Sequence, residues 1–236
     1  MGRKLLLLFV LLPFLALSQH DDGHKLLFSE VIGKNIKNFR LQSQMAFATE
    51  DYERAEFLFD SLVTHVARGT YMDNFRVRKA SGRKIDFYDF DKPVFLMTYA
   101  AWCTPGIGEI PALNKIADTY YDKVQVVVLF WDNKKKVKEV AADYSNDITL
   151  LYVDEAENKH DHIIETLKHS LGFPTTFFID SDKKIMDIRR GVLHPYGESY
   201  ETSFNLNYSA FLSGISTFHG IDMTEEELAA KKTPRP

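Results

Sequence analysis

Ala101-Trp102-Cys103-Thr104-Pro105-Gly106 is the stretch on which the reading of this chain turns. Residues 93–99 ahead of it form a short apolar run with β propensity, and residues 105–121 carry Leu113, Ile116, Ala117 and Tyr120 at helical spacing. Strand, loop and helix in that order place Cys103 where a loop leaves a sheet. At the amino end of a helix, unpaired backbone N–H groups and the dipole favour thiolate over thiol, and Pro105 suits a first turn. Cys103 is the only cysteine in 236 residues. Its sulfur can attack a disulfide or a peroxide, but the chain cannot close an internal disulfide to release what it has attacked.

On the carboxyl side, strands and helices alternate. Residues 123–131 are near-continuously apolar, as a parallel strand buried on both faces requires. A helix over 134–144, packing through Val137, Val140, Ala141 and Tyr144, precedes a strand over 148–153 and a helix over 160–171. Such alternation predicts βαβ units in an α/β fold, a central mixed sheet flanked by helices. Residues 175–180 and 184–190, joined by Ser181-Asp182-Lys183, read as a closing hairpin, followed by a last helix over 205–217.

On the amino side, Phe75 and Val77 alternate with Arg76 and Arg78, Ser81-Gly82 turns the chain, and Ile85 and Phe87 alternate again, which predicts another hairpin. Residues 20–69 read as mainly helical. The clearest helix spans 51–67, where Ala55, Leu58, Phe59, Leu62, Val63 and Val66 form an apolar packing stripe that Gly69 ends. Thr224 and Glu227 fit a capping box near the end of the chain.

Hydrophobic residues at 45% and aromatics at 13% suffice for a substantial core and exclude a wholly disordered chain. Arg3 and Lys4, the apolar run over 5–17, and Ala16 and Ser18 before Gln19 read as a secretory signal peptide. Pro13 interrupts a run already short for a spanning helix, so no stable membrane span is expected after cleavage. Without residues 1–18 the formal charge goes from −4 to −6, which argues against nucleic acid as a partner. The expected organisation is a signal peptide at 1–18, a helical N-terminal extension at 19–69, the main domain at 70–220 and a C-terminal tail at 221–236. In a periplasmic or extracellular setting, an unpaired cysteine is buried, reactive or joined to another molecule, a disulfide-linked dimer included.

Trp102-Cys103-Thr104-Pro105, Glu109 and Pro111 in the following helix, and Gly172-Phe173-Pro174-Thr175 before a hairpin resemble the thioredoxin superfamily. Glu109-Ile110-Pro111 and the signal peptide are similar to its TlpA-like branch of exported thiol-disulfide oxidoreductases. The resemblance covers residues 70–217 and implies a thioredoxin-like fold. It also implies a cis Pro174 beside Cys103, with Phe173, Pro174 and Thr175 holding an extended partner segment. Trp102 and Trp131 would form an apolar rim, Trp102 shielding the sulfur, and Trp102, Thr104 and Pro105 would join the substrate-binding residues. Two positions depart from the family. Gly106 stands where the resolving cysteine belongs, and Met97 where a buried polar residue often helps move protons.

Two functions stay open on these residues. One is monothiol exchange: Cys103 forms mixed disulfides with protein or small-molecule thiols and disulfides, and an external thiol resolves them. The other is a redox-inactive module that binds extended peptide segments, with Cys103 as a small hydrophobe and the helical extension as a second contact surface. Glu109 is either a proton relay or a first-turn acid set by the helix dipole. Gly106 and Gly108 are expected to loosen the helix start, each by about 1 kcal/mol relative to Ala. No cofactor is implied. His160, Asp161, His162 and His169 lack metal-ligand spacing, and Lys134-Lys135-Lys136 and the acidic run at 154–157 read as solvated faces. A peroxidase of this fold needs a threonine three residues before its cysteine, where Ala100 stands; a copper site needs a second cysteine.

Overall fold

The computed structural model describes residues 25–100, 102–154, 164–168, 171–191, 197–224 and 227–228. The predicted signal peptide and the histidine cluster at 160–162 and 169 lie outside them. Among the described residues, no helix is long and apolar enough to cross a membrane.

Seven strands form one sheet: β1 (Arg76–Lys79), β2 (Lys84–Asp86), β3 (Val94–Tyr99), β4 (Gln125–Phe130), β5 (Ile148–Tyr152), β6 (Thr175–Ile179) and β7 (Ile185–Arg190). Their order is β2-β1-β5-β4-β3-β6-β7. The buried β-branched run makes β4 the parallel partner of both β3 and β5, and the two predicted hairpins add antiparallel strands on either side. This mixed sheet with flanking helices is the thioredoxin-like fold the sequence predicts.

Helices cover both faces. On one lie α1 (Phe28–Ala48) and α2 (Tyr52–Leu62), the latter continued by a π-helical turn, Val63–Ala67. The predicted stripe faces inward, and the backbone turns off at Gly69 with φ +87°. Phe28, Ile32 and Phe59 share one apolar cluster with Leu96 and Phe177, so these helices build a layer of the core. Leu27 has no side chain able to cap α1. Asp73 does so across the fold, accepting from Ser29 N–H at 2.9 Å and Ser29 Oγ at 2.5 Å.

On the other face lie α3 (Glu109–Tyr120), α4 (Lys134–Val140) and α5 (Tyr200–Ile215). Three predicted helices differ in extent. Helix α5 begins earlier, because Ser199 accepts from Thr202 N–H at 3.1 Å and caps it. After Val140 the chain tightens into a 3₁₀ turn, Ala141–Asp143. Of the helix expected at 160–171, the described part is a π-helical turn, Ile164–Lys168.

A fourth helix differs in a way that bears on function: α3 starts at Glu109, not at Pro105. Gly108 is its N-cap and lies against α5, with its N–H donating to Ser203 Oγ at 3.0 Å. A Cβ there would sit 2.1 Å from the Phe204 backbone nitrogen. The glycine permits close helix packing rather than loosening a turn.

Candidate functional site

Cys103 lies in the loop after β3, half-buried, with its N–H donating to Ala100 C=O at 2.9 Å. Residues 104–108 separate it from α3, so the sulfur does not occupy the helix amino end on which the expected thiolate preference rested. Burial pushes the Cys103 thiol above its ordinary range. A backbone hydrogen bond at Ala100 opposes this, and the charges of Glu109 and Asp132 add to the rise.

Glu109 is the first residue of α3 and only 6% exposed. Burial pushes its carboxyl up to about 7, against the Gly106 N–H that donates to Oε2 at 3.4 Å. A carboxyl near 7 exchanges its proton around neutral pH, as a relay requires. Tyr99 and Tyr144 are also raised, by burial first and then by Glu109; the rise at Tyr99 includes an influence from Cys103. Thiol, carboxyl and two phenols therefore form one electrostatic cluster. Met97 is buried among apolar side chains and adds no polar group.

The Phe173–Pro174 bond is cis, as the resemblance implied. Trp102 packs edge-on against Phe173 at 6.1 Å between ring centroids, which brings the thiol loop and the proline loop together. The indole of Trp102 is 74% exposed, so it stands out as a rim more than it encloses the sulfur. Trp131, with its ring 6.3 Å from Phe173, is buried. Its Nε1–H has no partner among the described residues. Thr104 is exposed and Pro105 half-buried, both outside the helix.

The proline loop offers a partner less than expected. Pro174 C=O already accepts from Gly191 N–H at 3.0 Å, and a Cβ at Gly191 would lie 2.4 Å from Pro174 Cγ. Thr175 is fully buried in β6; its C=O accepts from Thr98 Oγ1 at 3.1 Å and its hydroxyl donates to Gly172 C=O at 2.9 Å. Thr175 therefore braces the loop and has no exposed surface. Phe173 and Pro174, both part-exposed, are the members left to touch a bound segment.

Sequence reasoning missed Tyr99, Asp132 and Tyr144. Two of them close β3 or follow β4, where strand ends converge on the loop. In sequence, Tyr144 reads as ordinary helix packing.

A family profile described as the AhpC/TSA family matches residues 69–188. The chain belongs to that family. It is 30% identical over 132 residues to the thioredoxin-like protein YneN of Bacillus subtilis, covering 54% of this chain and 74% of that one. To the thiol-disulfide oxidoreductase ResA of Bacillus thuringiensis subsp. konkukian it is 32% identical over 126 residues, covering 52% and 69%. Among solved structures, it is similar to the thioredoxin domain of a thiol-disulfide oxidoreductase from Bacteroides vulgatus, with 19% identity, a TM-score of 0.48, and 61% and 95% of the two chains covered. Another is an exposed lipoprotein thioredoxin from Streptococcus pneumoniae, at 18% identity and a TM-score of 0.41, covering 52% and 92%.

Proposed function

We propose that this protein is an exported, TlpA-like member of its family that carries out monothiol exchange through Cys103. The sulfur attacks one sulfur of a partner disulfide, a new S–S bond forms as the partner's bond breaks, and the released thiolate takes up a proton. An external thiol then attacks the partner's sulfur in the mixed disulfide and frees Cys103 as a thiol. Glu109 supplies or accepts the proton near neutral pH, while Trp102, Thr104, Pro105, Phe173 and Pro174 frame the partner. The observation that carries this reading is a part-exposed sulfur coupled to a carboxyl that titrates at about 7.

The raised thiol favours a second reading, a redox-inactive module that holds extended segments in the same place. Iodoacetamide alkylation measured against pH, together with trapping of disulfide-containing peptides, separates the two. Exchange predicts a rate that climbs with pH, with its midpoint above the free-cysteine value, and trapped adducts absent from Cys103→Ser. No adduct even at alkaline pH would leave only the binding module.

A further inference from the structure

Lys134-Lys135-Lys136 has no part in thiol exchange, yet the fold joins it to a second basic segment. Lys134 Nζ donates to Ser81 C=O at 3.2 Å, and a Cβ at Gly82 would lie 2.6 Å from the same nitrogen. The β1–β2 turn and the start of α4 therefore pack as one surface. Residues 79–84 and 134–136 hold six cations, Lys79, Arg83, Lys84, Lys134, Lys135 and Lys136, and no carboxylate. Among the described residues, Lys136 alone of these pairs with a carboxylate, Asp132 at 3.3 Å. In a chain of net charge −4 this is a local reversal of sign.

Of the cluster, Lys136 is the member that reaches toward the thiol, since β1 lies three strands from β3. Asp132, which Lys136 offsets, is also one of the charges acting on Cys103. Clustered like charges repel one another, and a carboxylate-rich chain laid across them toward Lys136 relieves that repulsion while steering encounter toward Cys103. A bilayer would supply anions but no sulfur for Cys103, so position favours a polypeptide.

We propose that this basic surface seats an acidic polypeptide segment of the partner whose sulfur meets Cys103. Its placement beside the thiol rests on the exchange reading; the ionic contact does not.

The test uses Cys103→Ser protein, which binds without exchange, titrated calorimetrically with a short Asp/Glu-rich peptide and a matched Ser/Gly peptide. Only the acidic peptide binds, more weakly as salt rises. The double variant Arg83→Glu and Lys135→Glu weakens it roughly tenfold, and the neutral pair Arg83→Gln and Lys135→Gln weakens it less. Both residues are exposed, and unchanged circular dichroism checks the fold. Equal binding of the two peptides, no loss in either double variant, or binding to phosphatidylglycerol vesicles with none to the acidic peptide overturns the proposal. If Cys103→Ser protein binds the acidic peptide while the intact protein forms no mixed disulfide with its disulfide form, exchange fails and the docking surface stands.

Discussion

Along β3, Val94 and Leu96 enter the layer built by α1 and α2, whereas Phe95, Met97 and Tyr99 enter the layer built by α3 and α5. The first layer is filled mainly by apolar contacts, with Phe28 edge-on to Phe177 at 5.6 Å and Phe75 stacked on Phe87 at 4.8 Å. The second begins the same way, with Phe95 stacked on Phe178 at 5.0 Å, but toward the carboxyl end of β3 it meets Glu109, Tyr144 and Cys103. Strand alternation thus lets one run of residues serve a dry core and an ionisable cluster at once. The first layer is governed by volume, and the thiol end of the second by protonation.

The largest effect that could break this contrast is expected at Phe28. Phe28→Ala empties a site with no exposure and should cost about 3–5 kcal/mol, equally in acid and at neutral pH, by urea denaturation. A loss that varied with pH would show that the apolar layer senses the titrating cluster.

Glu109→Gln should have the opposite sign. Glu109 titrates at about 7 in the fold against a reference of 4.5, so the folded state binds its proton more tightly than the unfolded chain. That stabilisation is full below 4.5 and is lost as pH rises through about 7, a change on the order of 3 kcal/mol. The variant, lacking the charge, should therefore exceed the parent in stability above neutral pH by more than it does in acid. Because the Glu109 charge also raises the thiol, Cys103 alkylation should shift to lower pH. Parallel stability–pH curves for parent and variant would refute the buried, titrating carboxyl.

The smallest effect sharpens the comparison. Asp73→Ala removes the cap of α1 and should cost about 1 kcal/mol, read as a lower urea midpoint, with no change in Cys103 alkylation. A changed alkylation rate would couple the two layers.

Much of the architecture was legible because it rests on local spacing. The apolar run of β4, the alternation of Phe75 and Val77, and the turn at Gly82 each act over a few residues. The start of α3 was not legible: Pro105 is a sound first-turn residue, but contact between Gly108 and Phe204, far along the chain, accompanies a helix that begins at Glu109. For the same reason the burial of Thr175 was not legible, since its place between β3 and β7 depends on strand pairing. The pairing of the β1–β2 turn with Lys134 was likewise hidden, because neither basic segment signals the other in sequence.

On its own, the sequence determined that the chain alternates strands and helices, that it has a single thiol after a buried strand, and that no second cysteine can resolve what that thiol attacks. These are matters of composition and short-range periodicity. Tertiary structure alone decided that the thiol is raised rather than lowered, that Glu109 titrates near neutral pH, and that Phe173 meets Trp102. Desolvation and charge coupling depend on which distant segments enclose a group, and only the packed fold brings those segments together.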